Sequence, residues 1–116
     1  MDVIVNTDHS ITLSERSAEE LQSEVETALR NFAPRLTRVE VHLSDQSAGR
    51  STGNDIRCLL EARPEGRHPE SATADASTVD DAVHGALRKM LRVLDAESGR
   101  LDRRKGASSM GGIEPR

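Results

Sequence analysis

Aromatic residues are almost missing from this chain: Phe32 stands alone, with no Trp and no Tyr. Proteins that read unpaired bases stack them on aromatic rings, so any contact with nucleic acid is expected to run through phosphate and shape. Cys58 is the only cysteine, which excludes an intrachain disulfide and removes the need for an oxidising compartment. No stretch approaches the roughly 18 apolar residues of a membrane span. The start, Met1 to Asn6, has neither the basic region nor the apolar run of a secretory signal. A soluble, unprocessed, cytoplasmic protein is the expectation.

Signatures of chemistry are lacking as well. No G-x-S-x-G elbow and no G-x-x-x-x-G-K-[ST] loop occurs, and Gly111-Gly112 sits in the C-terminal tail. His9, His42, His68, His84 and Cys58 form no close pair of the CxxC or HExxH kind. Neither an enzyme, a metal site, a cofactor nor a small-molecule substrate is expected. Cys58 shares its parity with Ile56 and Leu60 and reads as a small core residue. His42 falls on the polar face of its strand, where it meets solvent or phosphate.

What the chain does have is sorted charge. Its formal net charge is −4, yet residues 1–50 hold five basic and nine acidic residues while residues 87–105 hold seven basic and three acidic. A length of 116 residues suits a single domain that buries about two-thirds of its unfolded surface. From Thr78 to Lys105 one long helix is predicted. Val79, Ala82, Val83, Ala86, Leu87, Met90, Leu94 and Leu101 fall in one sector at 3.6 residues per turn. Arg88, Lys89, Arg92, Arg100 and Arg103 project from the far side, with Asp80, Asp95 and Asp102 on one flank. Such a face suits a polyanion; the plainer alternative is a solvated face whose cations complement the helix dipole.

Upstream, Asp2 to Asn6 reads as a short strand. A helix follows through Ala18, Leu21, Val25, Ala28, Leu29 and Phe32, with Ser14 or Ser17 as N-cap, and Pro34 is expected to close it. Thr37 to Ser44 alternates, with Val39, Val41 and Leu43 inward. Asp45 to Asn54 reads as a mobile loop. Asp55 to Arg63 resumes the alternation, with Ile56, Cys58, Leu60 and Ala62 on one side and Arg57, Leu59, Glu61 and Arg63 on the other. Arg63 to Arg67 supplies a turn through Pro64 and Gly66. His68 to Ala76 is a strand of small residues that lets a helix approach closely. Residues 106–116 read as a flexible tail. The order β-α-β-β-β-α predicts a two-layer α+β domain over residues 1–105, its four-stranded sheet covered by two helices on one face.

With that order, the chain resembles the ribosome hibernation promoting factor family, also known through ribosome-associated translation inhibitor and sigma-factor modulation proteins. The resemblance runs from about Val3 to Lys105. It rests on Ala28-Leu29-Arg30-Asn31-Phe32, on Val39-Glu40-Val41-His42-Leu43-Ser44, and on Ala82-Val83 through Leu94. Ala82, Lys89 and Arg92 fit the family spacing of an Ala, a Lys seven residues later and an Arg three after that. The resemblance implies a fold like the double-stranded RNA-binding domain in a bacterial cytosolic protein. It further implies docking on the small ribosomal subunit in the mRNA and tRNA channel, blocking translation in stressed or stationary cells. The chain departs from the pattern in its first helix, where Glu15, Glu19, Glu20, Glu24 and Glu26 face only Arg16 and Arg30. It also ends before the C-terminal module of the long form, so pairing of ribosomes by this chain alone is not expected.

On this reading Arg88, Lys89, Arg92, Arg100 and Arg103 meet ribosomal RNA phosphates. Arg57, Arg63 and Arg67 join them if the sheet rim is contiguous with the helix face, and are ordinary surface arginines otherwise. Glu61 and Glu65 are expected to pair with those three arginines. Off the ribosome a monomer is expected. The alternative function is a protein-binding stress regulator of the same fold, with little RNA affinity, that uses the acidic first helix or the open sheet face.

Overall fold

A computed structural model of the chain describes residues 1–47 and 53–109, with side chains through residue 97. The expected loop at residues 45–54 is thus described only at its two ends. Residues 110–116 of the expected tail lie outside the described residues.

Strand β1 (Asp2–Thr7) leads into helix α1 (Glu15–Ala28). Of the two candidate caps, Ser14 is the one used: its Oγ accepts from the Ser17 N–H at 3.0 Å. This satisfies one of the donors that a helix start leaves without an intrahelical partner. Pro34 does not close the helix as expected. The α-helix ends at Ala28 and the chain tightens into a 3₁₀ helix, Arg30–Arg35, with Pro34 inside it. The cause is burial. A three-residue turn eclipses positions i and i+3, which carries Leu29 and Phe32, 0 % and 9 % exposed, onto the same core.

Strands β2 (Leu36–Asp45), β3 (Ile56–Pro64) and β4 (Glu70–Ala76) follow. Strand β4 starts later than expected because Pro69 has no N–H to donate to the β3 ladder. The turn before it uses Gly66 at φ +70°, a conformation that disfavours any residue with a Cβ. The sheet order is β1-β2-β3-β4; β1 runs parallel to β2, while β2–β3 and β3–β4 are antiparallel. A parallel neighbour requires a crossover, which α1 provides.

Register places Val3, Val39 and Ala62 in one inward row, and Val5, Val41, Leu60 and Ala72 in the next. Val39, Val41, Leu60 and Ala62 are fully buried. Onto this face packs α2 (Val79–Ser109), through Ala82, Val83, Ala86, Leu87, Met90 and Leu94. The Thr78 hydroxyl accepts from the Asp81 N–H at 3.1 Å and starts the helix. Helix α2 extends beyond the expected Lys105 to Ser109, since one glycine, Gly106, costs a helix only about 1 kcal/mol and does not stop it.

The small residues of β4 do allow a close approach. A Cβ built on Gly85 of α2 would stand 2.9 Å from the Ala74 Cβ, closer than carbon atoms pack. Among the described residues the core contains no polar or charged side chain. Both helices lie on one face of the four-stranded sheet, a two-layer α+β arrangement.

Candidate nucleic-acid interface

Strand β4 is an edge strand, so its outer backbone groups have no neighbouring strand. Lys89, one turn past Gly85 on α2, reaches that edge and donates from Nζ to the Thr73 carbonyl at 2.7 Å. The close helix–strand contact at Gly85 is what brings the ammonium within reach. An edge covered in this way also resists pairing with a second sheet.

Two residues along, on the outward face, Asp75 stands directly opposite Arg57 of β3. Arg57 Nε and Nη2 donate to its two carboxylate oxygens at 2.9 and 3.2 Å. These hydrogen bonds hold the Asp75 carboxyl below the usual carboxylate range; slight desolvation opposes the effect, and the charges of Arg57 and Lys89 reinforce it. The same bonds raise the Arg57 guanidinium above its ordinary value. Asp75 therefore links the sheet rim to the helix.

Between them lies a shallow recess of ≈ 390 Å³ that Arg88, Lys89 and Arg92 line together with Asp75, Asp81 and His84. Arg88 and Arg92 are exposed and, among the described residues, engaged in no ion pair or hydrogen bond. Guanidinium groups presented in this way suit phosphate oxygens. The two carboxylates in the recess moderate its potential, and Asp75 is already held by Arg57.

The candidate arginines thus separate. Arg57 does not line the recess with Arg88, Lys89 and Arg92: it is tied to it only through Asp75, and itself lines a separate hollow beside Asp8 and His42. Arg63 lies six residues along β3, roughly 20 Å away at strand spacing, opposite Arg38. Arg67 pairs instead with Glu97 near the middle of α2, at 2.7 Å. Arg100 and Arg103 belong to α2, but their side chains lie outside the described residues. The expected pairing of Glu61 and Glu65 with these arginines is not what forms: Arg57 takes Asp75, Arg67 takes Glu97, and Glu61 faces His42 at 3.3 Å. Register is the reason, because it sets Glu61 opposite Glu40 rather than beside Arg57.

Asp75 and the Thr73 carbonyl are contact partners of the candidate residues that sequence reasoning missed. A signal for the first existed. The β3–β4 register is a reflection about Gly66, and reflecting Arg57 through that turn lands on Asp75.

Two other polar surfaces are present. The start of α2 and the side of α1 enclose a cleft of ≈ 760 Å³ lined by Glu19, Glu20, Glu24 and Asp80, with Arg16 as its only cation. On the open face of the sheet, Arg38, Glu40, His42 and Glu61 form a cluster of their own. Cys58, by contrast, is fully buried and its thiol is pushed up to about 12 by desolvation, so it offers no nucleophile at neutral pH. No helix among the described residues is long and apolar enough to cross a membrane.

Comparison with family models and with curated proteins finds no match to this sequence. Comparison with solved structures does. A ribosomal subunit interface protein from Coxiella burnetii superposes with a TM-score of 0.65 at 12 % identity, over 85 % of this chain and 99 % of that one. The N-terminal domain of Protein Y from Thermus thermophilus gives a TM-score of 0.59 at 11 % identity, over 78 % of this chain and 91 % of that one. Both neighbours are hibernation-promoting-factor family members, the family that the sequence resembles. What the chain shares with them at this identity is the fold.

Proposed function

We propose that this chain associates with the ribosome in stressed or stationary cells. In this reading it lays the recess side of α2 and the β4 edge on phosphates of small-subunit ribosomal RNA and obstructs translation by occupying the mRNA and tRNA channel. The observation that carries the reading is the grouping of Arg88, Lys89 and Arg92 around one recess at the β4 edge, on a fold shared with a ribosomal subunit interface protein. Arg100 and Arg103, whose side chains lie outside the described residues, are proposed as further phosphate contacts. The mechanism is occlusion, so it requires affinity and bulk rather than a reacting group. Near-absence of aromatics fits a contact with backbone phosphate and not with bases.

Neutralising about three phosphates should give log K a slope of about −2.1 to −2.7 against log salt, roughly a 20- to 40-fold loss between about 50 and 200 mM. Arg88 and Arg92 are the residues to reverse, because Lys89 also holds the Thr73 carbonyl and its loss would disturb the fold. The wild type should co-sediment with small subunits at low salt and be released as salt rises. The R88E/R92E variant should remain at the top of the gradient throughout. Unchanged co-sedimentation of that variant rejects the assigned face.

The acidic cleft between α1 and α2 favours a second reading, a regulator that binds a basic protein segment and has little RNA affinity. Capture from stationary-phase lysate with and without ribonuclease separates the two: partners lost on RNA digestion support the ribosomal reading, and a partner indifferent to it supports the second.

A further inference from the structure

On the open face of the sheet, away from both helices, Glu40 of β2 stands directly opposite Glu61 of β3. Like charges in that relation repel, so the pair calls for a cation. His42, two residues along β2 on the same face, lies close to both: its Nε2 is 3.2 Å from Glu40 Oε1 and 3.3 Å from Glu61 Oε1. Despite those distances, Nε2 is shielded from water and makes no hydrogen bond of acceptable direction to either oxygen. A ring N–H points along one line, and neither oxygen meets it at hydrogen-bond geometry.

That mismatch is what a metal resolves. Tetrahedral zinc with bonds of about 2.0–2.1 Å separates its ligand atoms by roughly 3.3–3.4 Å, which is the spacing of both Nε2···O pairs. All three donor atoms lie within 4.8 Å of one another. Arg38 Nε sits 2.9 Å from Glu40 Oε2, the oxygen turned away from His42, as an ion pair without hydrogen-bond direction, and its charge draws that oxygen aside and leaves Oε1 toward the centre. Outer contacts of this kind orient metal ligands. His42 and Glu61 remain about a third exposed, which leaves an entry path and a fourth position for water. One imidazole with two carboxylates suits zinc or cobalt; magnesium and calcium prefer oxygen donors alone.

We propose that Glu40, His42 and Glu61 form a binding site for one divalent transition-metal ion of the zinc class, with Arg38 as its positioning residue. The site is independent of the phosphate-binding face on α2. Bound metal cancels the Glu40–Glu61 repulsion and ties β2 to β3 from the side that no helix covers.

The test uses the full chain, stripped with chelator and titrated with ZnCl₂ by calorimetry and with Co²⁺ by visible absorption. One ion per chain should bind, raise the thermal midpoint, and resist competition by excess Mg²⁺. H42Q and E61Q should each abolish binding, and R38Q should weaken it by about 10- to 100-fold. H84Q should bind as the wild type does, since the contact of His84 with Glu24 lies elsewhere. Thermal unfolding of each variant without metal separates lost binding from lost fold. Absence of saturable binding, undiminished binding by folded H42Q, or loss in H84Q overturns the proposal. So does a His42 ring that titrates with protons by NMR but is insensitive to Zn²⁺, which would make the proton its bridging cation.

Discussion

Replacing Gly85 with alanine sets two effects of known sign against each other. Glycine within a helix is about 0.8–1.0 kcal/mol worse than alanine, so the substitution stabilises α2 considered alone. The new methyl would meet the Ala74 Cβ at 2.9 Å, roughly 1 Å inside ordinary contact, and neither partner is a flexible side chain that can swing aside. Overpacking of that kind costs about 1–3 kcal/mol. The clash should win, leaving G85A about 1 kcal/mol less stable, with a midpoint lower by several degrees for a domain of this size. Removing the opposing methyl reverses the balance. In an A74G background the clash has gone and only the helix benefit remains, so adding G85A should now stabilise by up to about 1 kcal/mol. Urea unfolding of the four proteins measures the cycle. If G85A changes stability with the same sign in both backgrounds, the close approach of α2 to β4 is not what constrains this position. The separation also sets the reach of Lys89 to the Thr73 carbonyl, so, on the proposed function, G85A should weaken co-sedimentation with small subunits beyond what lost stability explains.

Two further outcomes follow from ionisation and burial. Asp75 should titrate by carbon-detected NMR below its ordinary value of 3.8 because Arg57 bonds its charged form. Since the folded-state value is depressed, the associated stability is present above 3.8 and fades as pH falls through the folded value. R57Q should move the titration back up, and an unmoved Asp75 would refute the pairing. Cys58, fully buried with its thiol pushed up to about 12, should resist iodoacetamide at pH 8 in the native protein and react fully in urea. Rapid alkylation of the folded chain would contradict its place in the core.

Much of the architecture was legible in the chain because burial imposes period on sequence. Val39, Val41 and Leu43 alternate and are all buried; Ala82, Val83, Ala86, Leu87, Met90 and Leu94 recur at helical spacing and do cover the sheet. The strand of small residues at Ala72 to Ala76 announced a close helix, and Gly85 is where it comes closest. Pro34 does not mark the helix end, because proline states only that a regular α-helix cannot continue through it. The 3₁₀ winding that carries Phe32 to the core depends on what lies beneath. The basic residues of α2 were visible as a group; which of them remain available was not, since Arg67 finds Glu97 across thirty residues and Arg57 finds Asp75 across eighteen.

By itself, then, the sequence determined which residues face inward, which elements form and in what order, and that one side of the last helix is cationic. These are local consequences of periodicity, turn chemistry and capping, each decided within a few residues. Only the tertiary structure decided which charges cancel and which converge. The β2–β3 register gathered Glu40, His42 and Glu61, which no spacing rule would group, and the β3–β4 register tied Arg57 to the α2 face through Asp75. Register depends on how whole strands align over a shared core, and a shift by one residue turns every side chain to the opposite face.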